Sequence, residues 1–202
     1  MKRAREEEDT NRFTRVWVTE NSWYDIGRIP EHLATPEQFH MLMERQPETY
    51  DRIKLYGKEH PLPRKQQMYG HAYKFSNINL EATEPPEEML VYQEYVNSLE
   101  YGEFGGFLMN WYLNGNHYIS KHKDSERGLT GPIVSLSLGQ TRVFRIRNDA
   151  TGAKTDVEMP NGCVLIMGGD FQKELTHEVP KVAGAKGLGF GPRINMTFRQ
   201  FN

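Results

Sequence analysis

In Ile133-Val134-Ser135-Leu136-Ser137-Leu138, the apolar Val134, Leu136 and Leu138 alternate with Ser135 and Ser137. Successive side chains of an extended chain leave opposite faces, so this run reads as a half-buried strand with one apolar and one polar face. Working outward, other short runs bounded by glycine carry the same period: Gly106 to Leu113, His117 to His122, Thr141 to Arg147, Val164 to Met167 and Ile194 to Phe201. Short strands following one another without intervening helices predict a sandwich or barrel rather than alternating β-α units. Two helices precede them. Residues 35 to 46 place Thr35 and Gln38 as a capping box, Pro36 at the first helical position, and Phe39, Leu42 and Met43 at helical spacing. From about Pro86 to Leu99, Glu87 and Glu88 favour the helix dipole in the first turn, and Tyr92, Tyr95, Val96 and Leu99 form one stripe. The fold class is mostly β with flanking helices, the helices packed on a C-terminal β-barrel or jelly roll.

The 202 residues are 37% hydrophobic and 26% charged, enough for one domain with a real core. The single cysteine, Cys163, excludes an internal disulfide and suits a reducing, intracellular compartment, either nucleus or cytoplasm. No stretch approaches the ~18 apolar residues of a membrane span, so no membrane partner is expected, and a monomer is the default state. Net charge is -2, so a polyanion would need a local basic patch rather than a global basic surface. The basic-then-acidic run from Met1 to Asp9 reads as a solvated, flexible terminus.

The chemistry concentrates between Asn110 and Glu126 and in the last strand. His122 and Asp124 are two apart, so on a strand both leave one face and can offer an imidazole nitrogen and a carboxylate oxygen to one ion. His177 is the natural third ligand, and two histidines with one carboxylate form the facial set that leaves coordination positions open on non-haem Fe(II). In Pro192-Arg193-Ile194-Asn195-Met196-Thr197-Phe198-Arg199-Gln200-Phe201, the odd residues Arg193, Asn195, Thr197 and Arg199 share one face and Ile194, Met196 and Phe198 the other. Inward-facing arginines are costly unless anions meet them, and a small dicarboxylate fits a guanidinium fork. Asn110 and Tyr112 can complete that pocket with an amide and a phenol. The alternative is an exposed strand on which Arg193 and Arg199 pair with local acids such as Glu158 or Glu178.

Taken together, His122-x-Asp124, distal His177, the Arg193-x-Asn195-x-Thr197-Phe198-Arg199 ending and the upstream Asn110-x-Tyr112 resemble the AlkB family of Fe(II) and 2-oxoglutarate-dependent dioxygenases. The segment from Leu55 to Gly70 is similar to the nucleotide-recognition segment of the family member that repairs duplex DNA. The resemblance covers roughly residues 50 to 201. It implies a double-stranded β-helix (jelly roll) at about 104–202, an N-terminal nucleotide-recognition lid at about 50–80, a flexible segment at 1–20 and a single domain over 21–202.

By the same resemblance, His122, Asp124 and His177 hold Fe(II), while Asn110, Tyr112, Arg193, Asn195, Thr197 and Arg199 hold the co-substrate 2-oxoglutarate. With O2, this machinery hydroxylates an N-methyl group on a base such as 1-methyladenine or 3-methylcytosine. The product breaks down to formaldehyde and the unmodified base, a direct-reversal repair. The target base must be flipped out of the stack. Tyr73 and Phe75 match the family's base-binding pair, with Phe75 and His122 stacking on the base; by composition alone the two aromatics would read as core. Ser125 and Glu126 follow the metal motif, and Glu126 stands where a family acid contacts the base, on the face of Asp124 if the strand continues. Tyr56, Gly57 and Lys58 match the finger loop that fills the gap left by a flipped base. Lys54, Lys58, Arg64 and Lys65 form a local basic patch suited to phosphates. Two departures keep the substrate open between DNA and RNA, and between duplex and single strand. The chain is shorter between Gly70 and Tyr73, and only Lys181 and Lys186 stand in the loop after His177. A protein or small-molecule hydroxylase of the same class is the further alternative.

Overall fold

The computed structural model describes residues 13–55, 57–70, 73–75, 78–80 and 82–201. Its elements run β1 (Phe13–Trp17), β2 (Ser22–Arg28), a single 3-10 turn (Glu31–Leu33), α1 (Pro36–Glu44), β3 (Arg52–Leu55), β4 (Lys58–Pro61), β5 (Lys65–Tyr69), β6 (Tyr73–Phe75), β7 (Ile78–Leu80), β8 (Ala82–Thr83) and α2 (Glu87–Asn97). The second half continues as β9 (Phe107–Tyr112), β10 (Ile119–His122), β11 (Leu129–Gly139), β12 (Arg142–Asn148), β13 (Lys154–Met159), β14 (Cys163–Gly169), α3 (Phe171–Glu174), β15 (Leu175–Val179), α4 (Gly184–Leu188) and β16 (Arg193–Phe201). An eight-stranded sheet in the order β1-β2-β14-β11-β16-β9-β5-β8 faces a four-stranded sheet in the order β10-β15-β12-β13, the jelly roll expected from the strand pattern.

Both expected helices form where their caps place them. Thr35 Oγ1 accepts the Gln38 backbone N–H at 3.3 Å, although the return bond of a full capping box is missing and Gln38 Oε1 is buried without a partner among the described residues. α2 buries Met89, Tyr92, Tyr95 and Val96 on one face. Both helices lie on the outer face of the large sheet. There Val134, Leu136 and Leu138 of β11 join Ile194, Met196 and Phe198 of β16 in one core. Each is essentially fully buried, a gain of about 1.5–3 kcal/mol per side chain over exposure. The indole of Trp111 donates to the Leu42 carbonyl at 2.9 Å and ties α1 to β9. A second core lies between the sheets, with Ile133, Leu165 and Met167 meeting Phe144, Ile146 and Leu175.

The strand Ile133 to Leu138 is not half-buried. Ser135 and Ser137 are as hidden as their apolar neighbours, because the small sheet covers the face that would otherwise meet water. The large sheet also reaches further back than residue 104. β2 pairs with β14 along its whole length and β1 pairs with β2, so residues 13–17 of the expected flexible segment form an edge strand. They are held there by Arg15, which grips the buried Asp25 through two 2.8 Å hydrogen bonds. Residues 1–12 of that segment lie outside the described residues. Likewise β5, in the expected lid, hydrogen-bonds to β9 and belongs to the large sheet.

Candidate metal centre and co-substrate pocket

The inner face of the large sheet is polar by register. Gln66 of β5 stands opposite Asn110 of β9, Asn110 opposite Asn195 of β16, and Asn195 opposite Ser137 of β11, a row of polar side chains across four strands. Beside it Arg193 stands opposite Tyr112, and Thr197 opposite Ser135. The small sheet supplies the other wall. His122 at the end of β10 pairs directly with His177 of β15, which brings their ring centroids to 4.2 Å. His122, Asp124 and His177 each place a ligand atom within 4.8 Å of the others. The three face the polar row across one buried pocket, which Arg64, Ser135, Phe144 and Arg199 also line.

His122 Nδ1 donates to the Ser120 carbonyl at 2.8 Å, which leaves the lone pair on Nε2. Burial holds the His122 imidazole below its ordinary range against the pull of Asp124. For His177, burial and then the neighbouring His122 push the value down to about 3. Burial alone would raise Asp124, but Arg199 first and then the two histidines outweigh it and hold the carboxyl at about 2. At neutral pH the cluster is therefore two neutral imidazoles and a carboxylate, the protonation states a metal ligand needs. Asp124 Oδ2 and His177 Nδ1 are buried without a hydrogen-bond partner among the described residues. A nitrogen and oxygen donor set with unsatisfied buried atoms fits Fe(II).

The co-substrate side is equally specific. Arg193 is buried with one guanidinium nitrogen on Ser137 Oγ at 2.7 Å, its Nε and Nη1 without acceptors among the described residues, and the Tyr112 ring 4.9 Å from its carbon. Arg199 bonds Asp124 Oδ1 at 3.0 Å. The Asn195 amide donates to Ser135 Oγ and to the Leu136 carbonyl, and Thr197 Oγ1 donates to Asn195 Oδ1. Three arginines and one carboxylate line the pocket, Arg64, Arg193 and Arg199 against Asp124. The excess of two positive charges matches a dicarboxylate. The alternative pairing of Arg193 and Arg199 with Glu158 or Glu178 does not occur, since Glu178 bonds Arg147.

A match to the 2OG-Fe(II) oxygenase superfamily spans residues 28–199 and takes in every one of these side chains. The chain belongs to that superfamily. Within it the chain is an AlkB-type oxygenase, and Fe(II), 2-oxoglutarate and O2 are the reagents of its class. DNA oxidative demethylase ALKBH2 of Homo sapiens is 30% identical over 162 residues, spanning 74% of this chain and 60% of that protein. Alpha-ketoglutarate-dependent dioxygenase alkB homolog 3 of Homo sapiens is 34% identical over 152 residues, spanning 68% and 51%. The chain thus covers about half to three-fifths of the length of these curated relatives. The solved structure of OsALKBH1 superposes with a TM-score of 0.56 at 16% identity, over 92% of this chain and 100% of that one, a likeness of fold.

Some expected site residues sit elsewhere in the oxygenase. Arg64 is not part of a surface basic patch: it is 3% exposed and donates to Asn110 Oδ1 at 2.7 Å and to Gln66 Oε1 at 3.1 Å. Strand parity is the reason, because Arg64 and Gln66 point into the jelly roll while Lys65 points out, where it bonds Gln46 and lies 5.7 Å from the Tyr50 ring. Lys54, Gly57 and Lys58 are exposed on the separate β3-β4 hairpin, with Gly57 at a φ of 79° that the turn requires. Glu126 does not continue a strand face, because β10 stops at His122 and residues 123–128 turn away. Both Glu126 oxygens are buried with no side-chain partner among the described residues, and burial raises its carboxyl above the usual range. Ser125 is exposed beside it. Tyr56 lies outside the described residues, and Tyr73 and Phe75 are described only as backbone of β6, paired with Leu80 and Ile78 of β7. Ser135, Ser137 and Phe144 were not singled out by sequence. The one signal for the serines was their alternation in an apolar strand. No helix among the described residues is long and apolar enough to cross a membrane.

Proposed function

We propose that this oxygenase is an oxidative demethylase of N-alkylated bases, such as 1-methyladenine and 3-methylcytosine, in nucleic acid and foremost in DNA. The observation that carries the reading is the His122-Asp124-His177 cluster facing a buried pocket with two excess positive charges. The likeness to a protein named as a DNA oxidative demethylase supports the substrate class. Fe(II) with 2-oxoglutarate supplies the oxidation that places one atom of O2 in the N-methyl C–H bond, the other leaving in succinate as CO2 is lost. The N-hydroxymethyl group then departs as formaldehyde: its hydroxyl proton goes to solvent and the N–C bonding pair returns to the ring nitrogen as the lone pair of the unmodified base.

The chain's own part is binding and orientation. His122 and His177 present neutral nitrogens and Asp124 an ionised oxygen. Arg193 and Arg199 hold the co-substrate's carboxylates, with Asn110, Tyr112, Asn195 and Thr197 shaping its cradle. Arg64 orients Asn110 from behind. The substrate side is assigned to Phe75 and Tyr73 against the flipped base, Ser125 and Glu126 beside the metal motif, and the residues Tyr56, Gly57 and Lys58 with Lys65 toward the nucleic acid.

The test is mass spectrometry of short oligonucleotides carrying 1-methyladenine or 3-methylcytosine, as single-stranded DNA, duplex DNA and RNA, with Fe(II), 2-oxoglutarate and ascorbate. Loss of one CH2 unit with the wild type and none with His122→Ala is the expected result. Succinate formation without demethylation of any of the three would reject the nucleic-acid substrate and keep the oxygenase.

A further inference from the structure

The four-residue turn α3 carries no ligand, yet it touches the segments that do. Gln172 Oε1 accepts the backbone N–H of Asp124 at 3.0 Å, and Gln172 Nε2 lies 3.5 Å from Met167 Sδ. This contact matters because Asp124 has already left β10 and has no ladder neighbour to fix its peptide. A second contact backs it one residue earlier, where Lys123 Nζ donates to the Lys173 carbonyl. Phe171, buried, stands 6.2 Å from the His177 ring. The turn is itself braced by the N-terminal hairpin. The Asp170 amide donates to the Asn21 carbonyl at 2.9 Å, and Glu174 accepts the hydroxyls of Thr19 and Ser22.

We propose that Gln172 is a positioning residue for the metal centre. By holding the Asp124 peptide, it sets the direction of the Asp124 Cα–Cβ bond and hence of the carboxylate. A ligand on a loop can rotate away from the metal, whereas one whose amide is fixed meets the metal with its orientation already chosen. The amide of Gln172 is suited to this: its oxygen faces a donor and its nitrogen a weak sulfur acceptor, so the two ends are not interchangeable. The inference rests on the metal assignment made above.

The test compares Gln172→Leu, which keeps the shape and removes the acceptor, with Gln172→Glu, which keeps an oxygen for the Asp124 amide. Mn(II) affinity is measured without co-substrate or turnover, by loss of the free Mn(II) paramagnetic resonance signal, alongside the melting temperature of each metal-free protein. Gln172→Leu is expected to bind Mn(II) about tenfold more weakly, and Gln172→Glu to bind within about threefold of the wild type, at similar metal-free melting temperatures. Wild-type affinity in Gln172→Leu, or equal loss in both variants, overturns the role. If Gln172→Leu does not fold, Glu174→Gln loosens the brace of α3 instead, and unchanged Mn(II) binding there overturns it. A wild type that binds no Mn(II) would reject the metal assignment itself, a distinguishable failure.

Discussion

Replacing Arg193 by methionine separates the two demands on the pocket, because stability and co-substrate binding should move in opposite directions. The guanidinium is 1% exposed, hydrogen-bonds Ser137 and lies against Tyr112, and is lowered from its ordinary pKa by burial. Exchanging a poorly compensated buried charge for an apolar chain of similar length is worth roughly 1–4 kcal/mol, against about 1 kcal/mol for the lost Ser137 bond. A net gain of roughly 0–3 kcal/mol follows, which for a chain of this size raises the melting temperature by up to roughly 12 °C. Binding of 2-oxoglutarate should fall, since a charge-assisted bond to a carboxylate contributes about 1.5–3 kcal/mol, a factor of roughly 10 to 150 in Kd. Thermal denaturation with and without 2-oxoglutarate, and calorimetric titration of the Mn(II)-loaded protein, read both quantities. A lower melting temperature for the free Arg193→Met protein, or a wild-type Kd, would refute the claim that this charge is held in place for an anion.

Removal of one metal ligand, by His122→Ala or Asp124→Ala, is expected to abolish succinate formation, and substantial turnover with iron still bound would contradict the ligand set. Asp25→Asn should cost about 1–2 kcal/mol near neutral pH, at the lower end because the partner Arg15 side chain is 43% exposed. Burial would raise the Asp25 carboxyl, but Arg15 and Tyr101 outweigh it and lower it, so its contribution is full above the unfolded value of about 3.9 and lost as pH falls through the folded one. The stability difference between Asp25→Asn and the wild type should therefore shrink toward zero below that window in acid denaturation, and a difference constant down to acid pH would count against the charge. Met196→Ala, on the outer face of β16 and 0% exposed, should lose about 2–5 kcal/mol in denaturant unfolding yet leave 2-oxoglutarate affinity of the folded protein unchanged.

The strands that read clearly from sequence are those whose alternation survives in the fold, above all β11 and β16. Among those that did not are β2 and β15. β2 buries the acid Asp25, whose partners Arg15 and Tyr101 lie 10 and 76 positions away, beyond the reach of any local pattern. β15 is the five-residue run Leu175-Thr176-His177-Glu178-Val179, buried on both faces at four of its positions, so it shows no period at all. The metal set was legible because its residue types are scarce and specific. The spacing argument for His122 and Asp124 nevertheless assumed a strand that ends at His122, and the groups that bond Asp124 are distant in sequence: Gln172, 48 positions on, at its amide and Arg199, 75 positions on, at its carboxylate. Arg64 was misplaced for a simpler reason: a cluster of cations in sequence does not say which of them the strand turns inward.

The parity of β16 explains how one strand serves both stability and chemistry. Its even residues fill the core beneath the helices, and its odd residues build the pocket. A polar inner face on a jelly roll would be unstable alone, because buried donors without acceptors cost free energy that the second core, between the sheets, only partly offsets. Register lowers that cost: Asn195 reaches Ser135 and Leu136, Arg193 reaches Ser137, and Arg64 reaches Asn110 and Gln66, so each cation or amide finds a partner one strand away. Among the side chains that line the pocket, the atoms without a partner among the described residues include Arg193 Nε and Nη1 on one wall, and Asp124 Oδ2 and His177 Nδ1 on the other. Donors remain on the sheet that would meet carboxylates, and a carboxylate oxygen and an imidazole nitrogen remain where a cation would sit. An apolar β-sandwich with a few stray polar residues would have no reason to sort its unsatisfied atoms by sign across the cleft, and that sorting ties the fold to the chemistry proposed for it.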